Sequence, residues 1–92
     1  MAIKSIVCCC GMGFGTSLLA KMNVEKALGN IGINGVDVEH STLSEAKSMK
    51  FDLYVVSKDL EAQTTDLSNV LIVNNLMDTA EIETKLKAAF GK

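Results

Sequence analysis

Cys10-Gly11-Met12-Gly13-Phe14-Gly15-Thr16-Ser17 is the stretch on which the fold turns. Upstream, Ile3 to Cys9 is apolar almost throughout instead of alternating, as expected of a strand covered on both faces of a parallel sheet. Downstream, Ser17 to Leu28 reads as a helix. Leu18, Met22 and Leu28 are expected on its apolar face, and Lys21, Glu25 and Lys26 toward solvent. Gly29 or Gly32 is expected to end it. The loop between, Cys10 to about Thr16, therefore joins a strand to a helix N-terminus. Unpaired N–H groups and the positive end of the helix dipole converge there and favour an anion.

Further out, the same alternation of elements continues. Asn34 to Glu39 reads as a second strand, with Val36 and Val38 alternating against Asp37 and Glu39, which places it at a sheet edge. Thr42-Leu43-Ser44-Glu45 has capping-box spacing and opens a short helix that ends by Met49. Asp52 to Val56 is a third, apolar strand. Ser57 to Ser68 is polar, with a short helix over about Leu60 to Thr64, and Val70 to Val73 is a fourth strand. Asp78-Thr79-Ala80-Glu81 opens a last helix, whose apolar face is Ile82, Leu86, Ala89 and Phe90 and whose stop is Gly91. Strands alternating with crossovers predict an α/β fold: a four-stranded parallel sheet in the order 2-1-3-4 with helices on both faces, flavodoxin-like. Ligands in such folds bind beyond the carboxyl ends of the strands. That edge collects Cys10 to Thr16, His40-Ser41, Ser57-Lys58-Asp59 and Asn74-Asn75.

The composition narrows the partners. Ninety-two residues, 48% apolar but only 4% aromatic, predict a single domain, residues 1–92, with an aliphatic core. Net charge is −2 and no residue is arginine, which argues against a nucleic-acid binder. No apolar run approaches the roughly 18 residues of a membrane helix. The short N-terminal run leads into the glycine loop without a cleavage pattern, so a separate cytosolic subunit is expected. Cys8, Cys9 and Cys10 are consecutive, which suits neither a disulfide framework nor the paired spacing of a zinc site. Neither metal nor cofactor is expected.

Cys10 carries the chemical argument. A thiol attacks phosphorus as thiolate, and a helix N-terminus with several N–H groups lowers its pKa. Gly11, Gly13 and Gly15 let the backbone approach an anion closely. Thr16 and Ser17 offer hydroxyl donors, so 11–17 (with Met12 and Phe14) form the expected phosphate cradle. Met12 and Phe14, apolar at the loop tip, also suit a docking partner. Cys8 and Cys9 read as strand-interior packing. The glycine spacing matches neither a dinucleotide fingerprint nor a Walker loop. A cysteine phosphatase would place arginine where Thr16 stands, and needs that bidentate charge in its transition state. The loop thus suits carrying a phosphoryl group better than hydrolysing it. A small cysteine phosphatase and a non-catalytic anion-binding module remain the alternatives. His40 and Lys58 could assist transfer, although a strand-end histidine and a solvated lysine are the plainer readings.

Ile6 to Ser17 resembles the active-site region of the enzyme IIB components of the bacterial phosphoenolpyruvate-dependent sugar phosphotransferase system (PTS). The run Lys21-Met22-Asn23-Val24-Glu25 resembles the ascorbate branch most; the galactitol and lactose/cellobiose branches are more distant. The resemblance implies a fold similar to small cysteine phosphatases. It also implies that Cys10 accepts phosphate from a phosphohistidine of the enzyme IIA component. Cys10 then passes it to a sugar, ascorbate-like, held by the membrane enzyme IIC component. Two departures stand out. Cys8 and Cys9 occupy positions where the family mostly has small aliphatic residues, and Phe14 is apolar where a polar residue is common. The position immediately before the glycine selects Cys10 among the three sulfurs.

Overall fold

Two strands are buried along nearly their whole length, and they occupy the centre of the sheet. β1 (Ser5–Cys9) and β3 (Leu53–Ser57) are buried on both faces, apart from Ser5. β2 (Asp37–Ser41) and β4 (Val70–Val73) alternate in burial and form the edges. The computed structural model describes residues 3–9, 14–67 and 69–91, with the backbone alone at 14–17. All pairings are parallel and the order is β2-β1-β3-β4, as the sequence pattern predicts.

Alternation along the strands builds a layer on each face. Ile6, Cys8, Leu53 and Val55 pack under α1 (Phe14–Asn30) and α3 (Thr79–Phe90), against Ala20, Val24, Ile82 and Leu86. Val7, Cys9, Tyr54 and Val56 face the other way, toward Leu43 and Ala46 of α2 (Leu43–Lys47) and Leu60 of a 3-10 helix (Lys58–Thr64). The crossovers therefore cover both faces.

The helix ends follow local chemistry. The Thr42 hydroxyl accepts from the Glu45 N–H at 3.2 Å and starts α2. Asp78 does the same for α3 through Glu81 N–H, and Gly91 at φ 72° closes it. α1 stops in a Schellman turn: Gly32 at φ 77° lets Ile33 N–H donate to Leu28 O at 2.9 Å.

Four expectations are corrected. α1 begins at Phe14, not Ser17, so Phe14, Gly15 and Thr16 belong to its first turn and not to a loop. Its buried face is Ala20, Val24, Ala27 and Leu28. Leu18 and Met22, expected inside, are 45% and 55% exposed, as is Leu19 beside them at 50%. At 3.6 residues per turn, Leu18 and Met22 fall on the side of α1 opposite Ala20, Val24 and Ala27, and so face away from the sheet. In α3, Ala89 is exposed while Ile82 and Leu86 carry the packing. β2 also starts later than expected, at Asp37, after Gly35 turns the chain at φ 80°.

Candidate functional site

The carboxyl edge of the sheet is where the expected site residues were placed. β1 ends at Cys9 and α1 begins at Phe14. The expected nucleophile Cys10, with Gly11, Met12 and Gly13, lies outside the described residues. Phe14, Gly15, Thr16 and Ser17 form the first turn of α1, and their side chains lie outside the description too. The first four N–H groups of a helix have no intrahelical acceptor. A 17-residue helix starting four residues beyond a central strand therefore directs its donors and positive dipole end at that edge.

The flanking strands bring different groups to this edge. On β2, His40 is half-buried and pairs in register with Cys8, while Ser41 pairs with Cys9. On β3, the last residue paired with β1 is Val56, opposite Cys9, and Ser57 follows it. Ser57 is buried, and its hydroxyl has no hydrogen-bond partner among the described residues. Lys58 and Asp59 come next and are exposed.

The turn after β4 is committed elsewhere. Asn74 donates to Glu81 Oε2 through its N–H at 2.9 Å and through Nδ2 at 3.0 Å. Asn75 N–H donates to Glu81 Oε1 at 3.1 Å. These bonds, Asn74's first, hold the Glu81 carboxyl below its ordinary value, and Lys85 Nζ at 3.2 Å adds to them. Asn74 and Asn75 thus brace α3 against the sheet. Asn23 of α1 adds a second brace, donating through Nδ2 to Leu76 O at 3.0 Å. Glu81 is signalled by pattern only as part of a helix start; its bonds to Asn74 and Asn75, like that of Asn23 to Leu76, depend on the folded crossover.

The cysteines before the loop are unsuited to attack. Cys8 and Cys9 are fully buried. Burial first, then the nearby charges of Cys9 and Glu25, push the Cys8 thiol far up, and Lys21 only partly offsets them. Cys8 therefore stays protonated at neutral pH. A hollow of about 210 Å³ lined by Leu28, Gly29, Ile33 and Val36 lies at the other end of α1, away from this edge.

The profile of the family described as "PTS system, Lactose/Cellobiose specific IIB subunit" matches residues 5–88. The chain belongs to this PTS IIB family. The IIB chain is also 34% identical to the "Ascorbate-specific PTS system EIIB component" of Mycoplasma pneumoniae, over 88% of each chain. PTS IIB components are phosphotransferases, and membership implies work alongside IIA and membrane IIC components. No helix among the described residues is long and apolar enough to cross a membrane.

Proposed function

We propose that this IIB chain is a cytosolic phosphoryl carrier in which Cys10 is the covalent acceptor and 11–17 cradle the phosphate. The observation that carries the reading is the junction itself. Four residues, opening with Cys10, link the end of a central parallel strand to the amino end of α1. The burial of Cys8 and Cys9 leaves Cys10 as the remaining sulfur for attack.

The reaction balances as two transfers. The Cys10 thiolate attacks the phosphorus of a phosphohistidine on IIA. The S–P bond forms as the N–P bond breaks, and the electron pair returns to the imidazole nitrogen. A sugar hydroxyl oxygen bound to IIC then attacks the same phosphorus. The P–S bond breaks, the thiolate leaves, and the hydroxyl proton passes to base or solvent. Backbone N–H groups at α1 stabilise the oxygens in both steps. The sugar is proposed to be ascorbate-like. Support comes from the relative's printed specificity and from Lys21-Met22-Asn23-Val24-Glu25.

Incubation with phosphoenolpyruvate and the upstream carriers should label the wild type and leave Cys10→Ala unlabelled. Labelling that survives in Cys10→Ala would remove the assignment, and rapid hydrolysis of an aryl phosphate would favour a phosphatase instead.

A further inference from the structure

Ser57 combines three features that rarely coincide. It is only 7% exposed, its hydroxyl has no partner among the described residues, and it stands at the N-cap of the 3-10 helix without capping it. A serine at such a position normally accepts from an N–H one turn on. A buried hydroxyl without a partner costs stability, so its retention calls for a reason.

Its placement supplies one. Along β3, Leu53 and Val55 face the layer under α1, while Tyr54 and Val56 face the opposite layer. Strand alternation then turns Ser57 toward the α1 side. It is one residue past the last β1–β3 pair, at the edge where α1 begins. Alternation thus puts the hydroxyl on the side of the sheet that α1 covers, at the edge where α1 begins.

We propose that Ser57 is a phosphate-binding residue that donates its hydroxyl hydrogen bond to an oxygen of a tetrahedral phosphoryl group seated at the amino end of α1. This deepens the carrier reading and rests on it for the identity of the bound group. A hydroxyl with no partner among the described residues would gain one when the phosphate arrives. Ser57 thus favours the loaded state over the empty one.

The test titrates inorganic phosphate into wild type and Ser57→Ala, following phosphorus NMR and the melting temperature together. Ser57→Ala should bind phosphate roughly 10-fold more weakly, as loss of a hydrogen bond to a charged group predicts. Without phosphate it should melt no lower than wild type, since it deletes a hydroxyl with no partner among the described residues. Ser57→Thr, which keeps the hydroxyl, should restore most of the affinity. Equal affinity in wild type and Ser57→Ala, no phosphate binding by wild type, or a lower melting temperature for phosphate-free Ser57→Ala overturns the proposal. The two readings separate cleanly. A chain whose phosphate affinity depends on Ser57 but which the upstream carriers never label keeps this site and loses the carrier assignment. A chain labelled on Cys10 whose phosphate affinity ignores Ser57 does the reverse.

Discussion

Of the three consecutive cysteines, Cys8 and Cys9 are both fully buried. Cys8 lies under α1 and Cys9 under α2, each removed from water by the sheet's two layers. Desolvation disfavours a thiolate, which is why the Cys8 thiol is pushed up. Alkylation with iodoacetamide at neutral pH, mapped by peptide mass, should therefore modify Cys10 well before Cys8. Equal labelling of the two would contradict the burial argument. Cys10 is singled out in the sequence by the glycine that follows it directly, and its role as acceptor stays a proposal. Ser57 was legible only as a residue near the edge: an unpartnered hydroxyl is a property of the packed strand, not of the letters around it.

At the scale of elements, α1 shows what periodicity reveals and what it hides. Its stop, narrowed to Gly29 or Gly32, and the caps of α2 and α3 depend on neighbours a few residues away, and they were readable. Its buried face was not. Leu18 and Met22 look like core residues until Ala20, Val24 and Ala27 are seen to form the buried face. The outward apolar residues lie on the amino half of α1, next to the proposed cradle. Met22→Ser should change stability by no more than about 0.5 kcal/mol in urea unfolding, as exposed sites usually do. It should nonetheless slow phosphorylation by IIA if partners meet this rim. The turn after β4 gives a pH prediction. The Glu81 carboxyl is held below its ordinary 4.5 by Asn74, Asn75 and Lys85. A depressed folded value contributes stability above the unfolded value and loses it as pH falls through the folded one. The unfolding midpoint of wild type should exceed that of Glu81→Gln at pH 7. The gap should close below about pH 4, the ordinary carboxylate range. A gap independent of pH would show that the carboxylate charge is not what holds the turn.

Across the whole molecule, the strand order 2-1-3-4 was legible because strands joined by crossovers demand a parallel sheet and Val36 and Val38 alternate with Asp37 and Glu39 as at an edge, whereas β4 is apolar throughout and alternates only in burial. The unequal depth of the two layers was not, since α2 is only five residues and the 3-10 helix seven. The layer under α1 and α3 holds more of the fully buried side chains, Ile6, Val24, Ile82 and Leu86 among them. Ile82→Ala should cost about 2–5 kcal/mol in denaturant unfolding, by lost burial and the cavity left behind. A cost below 1 kcal/mol would mean that the α3 layer is not the core described here.

The central claim is that one sulfur, on Cys10, receives the phosphoryl group. It is tested most directly by peptide mapping of the chain after phosphorylation by phosphoenolpyruvate and the upstream carriers. The account predicts one phosphoryl group on the peptide carrying Cys10, retained in Cys8→Ala and in Cys9→Ala and absent in Cys10→Ala. Phosphate on Cys8 or Cys9, or on His40, would contradict it.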